Sequence, residues 1–285
     1  MDEATDAALA VPAEALGRDS PIRVERVADG AALVRRLADD LFADYRAARA
    51  AGREKVVVIV PVGPVGALDL VAEDCNRTGE SLADLVVINM DEYLEPDGRR
   101  FIAASDPLSF RGHMQRHFWD VLRPDLAPPE GQRIFPDPID PANVGLAIER
   151  FGGVDVCYGG VGITGHVAFN DPPAPGETID TESFAALPSR VVELSTETLV
   201  INSVTACRGN IDRIPRLAVT VGMREILASR LVRLYLNRPW QSAIVRKLLH
   251  GPVTAAVPAS LLQRHADCRA VLTDEVAQLP EPTLR

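Results

Sequence analysis

Lys55-Val56-Val57-Val58-Ile59-Val60-Pro61 is a run of five β-branched residues between a lysine and a proline. A strand with one wet face alternates apolar and polar residues. A run that is apolar at every position predicts a strand covered on both faces, as in a parallel sheet. A Gly/Pro turn follows, then helical spacing from about Ala67 to Thr78, then a second short apolar strand, Leu85 to Asn89 (LVVIN). Upstream, Ala31 to Ala51 carries apolar residues at helical spacing. Downstream, the pattern predicts a helix near Ser109 to Val121 and strands at Val154 to Gly159, Leu217 to Val221, Leu231 to Leu236 and Arg269 to Leu272. A helix at Gln241 to His250 falls between the last two. This alternation over the whole chain implies an α/β fold, a doubly wound, mostly parallel sheet with helices on both faces. Ligands of such sheets sit at the carboxyl ends of the strands, so the loops after Val60, Asn89, Gly159 and Leu236 are the ones to read for chemistry.

With 285 residues, 47% hydrophobic and 25% charged, the chain can bury one full α/β core. Its net charge of −10 argues against nucleic acid or an anionic membrane as the main partner. An anionic substrate would have to be held by local groups. No apolar run is long enough to span a bilayer. The N-terminus (MDEATDAALAVPAEALG) lacks the basic start and apolar stretch of a signal peptide, so residues 1–20 read as a disordered tail before a single domain over 21–285. Cys75, Cys157, Cys207 and Cys268 form no CxxC pair, which suits reduced cytoplasmic thiols and a cytoplasmic location.

Two loops carry candidate chemistry. Asn89-Met90-Asp91-Glu92-Tyr93 puts two adjacent acids at a strand end, where desolvation can turn a carboxylate into a general base. Aspartate is also an ordinary turn former at such junctions. The stretch Gly159-Gly160-Val161-Gly162-Ile163-Thr164-Gly165-His166-Val167-Ala168-Phe169-Asn170-Asp171-Pro172 joins four glycines, a histidine and a nearby carboxyl. The glycines permit close backbone approach, and the histidine is the usual proton shuttle. A phosphate loop of the Walker type is excluded, because the Lys-Ser/Thr pair is missing.

Taken together, NMDEY followed about seventy residues later by GGVGxxGHxAFNxP resembles the glucosamine-6-phosphate deaminase/isomerase family, which is related to the 6-phosphogluconolactonases. The similarity runs from about Val56 to Thr273. It includes Met114, Arg116, Phe118, Asn202-Ser203 and Leu217-Ala218-Val219-Thr220-Val221-Gly222. The resemblance implies a Rossmann-like, deaminase/isomerase-type fold and a small sugar phosphate as the ligand, with neither cofactor nor metal ion. It leaves a homo-oligomer open. Asp91 matches the family's base, which moves a proton between C2 and C1. His166 matches the histidine that assists ring opening, and Asp171 stands where a glutamate usually completes the relay. Glu92 is a further candidate acid. Val62, Gly63, Gly66, Gly160, Gly162, Thr164 and Gly165 fall in the expected substrate loops.

The departures bear on the reaction. Thr164 replaces an acid two residues before the histidine, and a hydroxyl cannot balance an imidazolium as a carboxylate does. Val62 and Pro64 alter a loop that reads LPTGGTP in the family, and proline removes an amide donor. Val204 and Trp240 stand where an arginine and a lysine grip phosphate, so Arg208 or Arg238 is expected to replace them. His113 and His117 have metal-ligand spacing on a helix but no third ligand, so they read as a solvated pair. Pro172 to Ser189 is long enough to be a lid.

Four activities fit this pattern: deamination and isomerisation, C2 proton abstraction without deamination, lactone hydrolysis, and sugar-phosphate sensing without turnover. NMDEY argues against the lactonase. An intact base beside a weakened relay favours the second, with the C3 hydroxyl of N-acetylglucosamine 6-phosphate eliminated as a β leaving group, a dehydratase (lyase) reaction.

Overall fold

The structure is a computed structural model describing residues 3–281. In chain order its elements are α1 (Glu3–Leu9), β1 (Arg23–Val27), α2 (Gly30–Ala50), β2 (Val56–Val60), α3 (Ala67–Thr78), β3 (Leu85–Asn89), β4 (Asp91–Leu94), α4 (Phe110–Met114), β5 (Arg133–Ile134), α5 (Asn143–Arg150), β6 (Val156–Gly159), α6 (Thr181–Ala185), β7 (Arg190–Glu193), α7 (Thr196–Cys207), β8 (Leu217–Thr220), α8 (Met223–Leu227), β9 (Leu231–Leu236), α9 (Ser242–His250), β10 (Cys268–Thr273) and α10 (Asp274–Ala277).

Seven strands form one parallel sheet in the order β1-β10-β9-β6-β2-β3-β5. β2 lies in its interior, between β6 and β3, and is apolar on both faces for the reason its sequence suggests. Val57 and Ile59 enter one apolar layer, and Val56, Val58 and Val60 enter the other. Each such buried side chain contributes about 1.5–3 kcal/mol. From β2 the chain builds outward through β3 and β5, then returns with β6 to the other side of β2. The strand order therefore reverses between β2 and β6, which opens a crevice at their carboxyl ends.

Four expectations need correction. Leu217–Thr220 (β8) is a strand, but it belongs to a separate antiparallel sheet, β4-β8-β7, packed on its own apolar cluster around Tyr93, Ile102 and Phe169. The sequence stretch DEYL, read as loop, is the β4 strand of that sheet. The helix at Ser109–Val121 is a short α-helix continued by a π turn over Gln115–Trp119, with Asp120 N–H donating to Gln115 O at 2.9 Å. The wider turn lets the adjacent Phe118 and Trp119 both be buried. Finally, the tail is not disordered over its described part. α1 packs against α9 with Ala8 buried, the fully buried Arg246 donates to Val11 O at 2.8 Å, and Gly17 N–H donates to His250 Nε2 at 3.2 Å. Met1 and Asp2 lie outside the described residues.

Candidate active site

The loops after β2, β3, β6 and β9 surround the crevice. Asp91 sits where the chain leaves one sheet for the other. Met90 N–H still donates to Val60 O of β2 at 2.9 Å, Met90 O accepts from Val221 N–H at 2.8 Å, and Asp91 then pairs antiparallel with Thr220. Both sheets thus fix its position. No hydrogen bond engages its half-buried carboxyl among the described residues. Burial, and secondarily the charge of Glu92, push it up to about 8. That suits a group which must take a carbon-bound proton and later return it.

Glu92 does not share the site. Neighbouring strand residues point to opposite faces, and Glu92 is fully buried on the other one. Its carboxylate accepts from Tyr93 N–H (2.8 Å), Ser109 Oγ (2.8 Å), Phe110 N–H (3.0 Å) and Arg111 N–H (2.7 Å). It closes the start of α4, and although burial raises its pKa, its oxygens are all engaged. The adjacent acids of NMDEY therefore point to opposite faces, and Glu92, expected as a candidate acid, is instead engaged at the start of α4.

The glycine-rich loop folds around His166. Gly162 N–H donates to His166 O and Gly165 N–H to Gly162 O, both at 2.9 Å, which curls the loop so that the imidazole lies over Gly162. A Cβ on Gly162 would be 1.9 Å from His166 Nε2, so glycine is required there. Gly165 adopts φ +88°, and Gly160 comes close to Tyr235 O. Phe169 N–H donates to Thr220 Oγ1 at 3.0 Å, and Asn170 Nδ2 donates to Val221 O at 2.9 Å. Because Thr220 is the partner of Asp91, one residue ties the histidine loop to Asp91.

His166 Nδ1 is 2.8 Å from Asp171 Oδ1. Burial alone would push the Asp171 carboxyl up. The hydrogen bond and charge of His166, the Ser195 amide and the Thr164 hydroxyl outweigh burial and hold it well below the usual carboxylate range. Thr164 Oγ1 is 2.8 Å from Asp171 Oδ1 and 2.9 Å from His166 Nδ1. Threonine at 164 therefore does not strip the imidazole of its charge partner. Asp171, although a methylene shorter than glutamate, reaches the ring, and the expectation that Thr164 leaves the imidazole without a charge partner is corrected.

The loop after β2 carries Val62 and the cis-linked Gly63-Pro64, with Gly66 at φ +97° starting α3. The two candidate cations are separated. Arg238 is exposed at the carboxyl end of β9, and its N–H donates to Gln241 Oε1 while Gln241 Nε2 donates to Val161 O, both at 2.8 Å. This pins the Arg238 turn against the histidine loop. Arg208 is instead the exposed C-cap of α7 in a left-handed conformation, at the opposite end of that helix from Ser195. Val204 is 60% exposed.

His113 and His117 stack at 4.2 Å between ring centres, and His117 Nδ1 is bonded to Asp69 at 2.8 Å. Among the described residues no group of three or more His, Cys, Asp or Glu side chains is arranged to hold a metal ion. No helix there is long and apolar enough to cross a membrane. The segment Pro172 to Ser189, with α6 inside it, walls a cavity of about 1040 Å³ on the Asp171 side of the relay. Sequence reading named Thr220 only as part of a shared motif and missed Gln241, Ser195 and Thr198. Only the last two carried a signal, a Ser-x-x-Thr start before the apolar run Leu199–Ile201 that marks the first turn of a helix.

No family model matches the chain. Among solved structures, a monomeric glucosamine-6-phosphate deaminase superposes with a TM-score of 0.73 at 22% identity, covering 90% of this chain and 99% of that one. The 6-phosphogluconolactonase of Trypanosoma brucei gives a TM-score of 0.64 at 14% identity, covering 91% and 98%. Both likenesses are of fold. Closer in sequence is a glucosamine-6-phosphate deaminase of Exiguobacterium sibiricum, 28% identical over 212 residues, 73% of this chain and 76% of the relative. That of Lactobacillus johnsonii is 32% identical over 199 residues, 68% of this chain and 74% of the relative. At 32% identity over more than two thirds of its length, the chain belongs to the glucosamine-6-phosphate deaminase family.

Proposed function

We propose that this chain is an aldose–ketose isomerase and deaminase of a 2-amino-2-deoxyhexose 6-phosphate, releasing ammonia and a ketose 6-phosphate, with glucosamine 6-phosphate as the first substrate to test. The observation that carries the reading is the 2.8 Å contact between His166 Nδ1 and Asp171 Oδ1, kept in spite of Thr164. In this reading His166 Nε2 exchanges a proton with the sugar's ring oxygen and opens the ring. Asp91 then takes the C2 proton and returns it at C1, which leaves an imine at C2; a solvent water adds to that carbon, and the carbinolamine expels ammonia as its hydroxyl becomes the ketone. Elimination at C3 of an N-acetylated sugar would begin with the same proton abstraction. Its motive was a histidine without a charge partner, and Asp171 supplies that partner.

The test is product analysis with purified protein. Ammonia and ketose 6-phosphate in equal amounts from glucosamine 6-phosphate support deamination. An alkene signal from the N-acetyl sugar without ammonia from the free amine would replace it with elimination. Binding without either product would make the protein a sensor.

For the phosphate, the reading assigns Arg238 over Arg208, because its turn is tied to the histidine loop through Gln241. A charge-assisted hydrogen bond contributes about 1.5–3 kcal/mol. Arg238→Ala is therefore expected to weaken sugar-phosphate binding about tenfold or more and to leave the affinity for the unphosphorylated sugar unchanged. Arg208→Ala should change neither. Equal losses for both ligands in titration calorimetry would remove Arg238 from the phosphate.

A further inference from the structure

The carboxylate behind His166 is held by more donors than a histidine partner needs. Asp171 Oδ1 lies 2.8 Å from His166 Nδ1, 2.8 Å from Thr164 Oγ1 and 2.8 Å from Thr198 Oγ1. Its other oxygen accepts from Ser195 N–H at 3.1 Å. Both hydroxyl oxygens also face the ring, Thr164 Oγ1 at 2.9 Å and Thr198 Oγ1 at 3.2 Å from Nδ1. Thr164 shares a loop with the histidine. Thr198 comes from the first turn of α7, fully buried, and the proposed reaction has so far given it no part.

Proton bookkeeping orders this cluster. Each hydroxyl has one hydrogen to donate, and an ionised carboxylate can only accept. If both hydroxyls donate to Asp171, their lone pairs face Nδ1, and the ring must present an N–H to them and to the carboxylate. Nε2 then keeps its lone pair on the side of the ring that lies over Gly162. Turning either hydroxyl toward a bare Nδ1 would take a donor from a mostly buried anion, a costly exchange. With all three donors in place, the negative charge of Oδ1 is shared. The carboxylate then draws less on the imidazole N–H than one bonded by histidine alone. A less tightly held imidazolium gives up its proton to the sugar oxygen more readily.

We propose that Thr198 is a positioning residue for ring opening, its hydroxyl acting together with that of Thr164 to hold Asp171 in place and share its charge, so that His166 carries hydrogen on Nδ1 and works through Nε2. The proposal rests on the reading of His166 and Asp171 as the ring-opening pair.

The test compares Thr198→Val with Thr198→Ser in two readouts. In ligand-free protein labelled with ¹⁵N-histidine, wild type should show His166 with its hydrogen on Nδ1. Thr198→Val should move that N–H proton resonance downfield, because the carboxylate then bears on one fewer donor, and Thr198→Ser should bring it back. In turnover of glucosamine 6-phosphate, Thr198→Val should lower kcat about ten- to a hundredfold with KM within about twofold, the loss expected for one hydrogen bond to a charged group. Thr198→Ser should recover most of it. Where the valine variant fails to fold, Thr164→Val at the half-buried loop position should give the same downfield shift. A wild-type ring with its hydrogen on Nε2 would overturn the proposal. So would a valine variant that loses thermal stability while the resonance stays in place. The spectra need no substrate, so failure of the deaminase reading would appear as absent turnover and is distinguishable from an unmoved resonance.

Discussion

Asp91→Asn is expected to cut turnover by about 10²–10⁴-fold, the contribution of a general base, while making the protein more stable. The two effects share one cause. Burial and the neighbouring Glu92 hold the Asp91 carboxyl near a pKa of about 8. An unfolded chain would release that proton near 4. Between these values the folded protein binds a proton that the unfolded chain has lost, so this residue makes stability fall as pH rises through the window. Asparagine carries no charge and avoids the loss. The variant's advantage should be near zero at pH 4 and complete above pH 8. For a half-buried, partly screened group it should amount to about 1–3 kcal/mol, or several degrees in Tm. Thermal melts of both proteins across this range measure it. For wild type, kcat/KM should rise with pH and level off near 8, since only the ionised carboxylate can take the C2 proton. A variant that is inactive but no more stable at high pH would mean that Asp91 is not held out of solvent as described.

Gly162→Ala is the second large expectation. The new methyl would stand 1.9 Å from His166 Nε2, 2.1 Å from Cε1 and 2.5 Å from Cδ2. Gly162 has no positive φ, so alanine is not strained by its backbone and the conflict lies with the imidazole. Either the ring swings away from Asp171 or the loop opens and breaks its two backbone hydrogen bonds. Both outcomes remove His166 from its place, so activity should fall about 10²–10³-fold, in the range for loss of an acid–base group. If the methyl acts through the histidine alone, Gly162→Ala combined with His166→Ala should be no worse than His166→Ala. Steady-state kinetics of the two single variants and the double variant decide this. A fully active Gly162→Ala, or additive losses in the pair, would show that the ring does not work from above Gly162.

How much of this was legible depended on which forces act along the chain and which act across it. Val56 to Val60 could be read because burial on both faces removes every polar residue from the strand. His166 and Asp91 could be read because their motifs are contiguous. Glu92 could not be separated from Asp91 by sequence, since the alternation that sends it to the start of α4 exists only once DEYL is a strand. That strand was hidden by its acidic start and by a partner, Leu217–Thr220, more than a hundred residues away. Thr164 was misjudged for a related reason. A carboxylate exchanged for a hydroxyl looks like a loss when the position is read alone. In space the hydroxyl joins a carboxylate seven residues on and a second hydroxyl from α7. The N-terminal segment looked unstructured because it has few large apolar residues. Its order comes from what it supplies to others, a carbonyl for the buried Arg246 and an amide for His250.

The account stands most directly on Asp91 as the group that moves a proton on a sugar phosphate. Wild type and Asp91→Asn should each be incubated in deuterated buffer with fructose 6-phosphate and ammonium, and the C1 protons followed by NMR. The account predicts that wild type exchanges one of the two C1 protons, and only one, and that Asp91→Asn slows this at least about a hundredfold. Exchange at an undiminished rate in the variant, or no C1 exchange by an otherwise folded wild type, would contradict it.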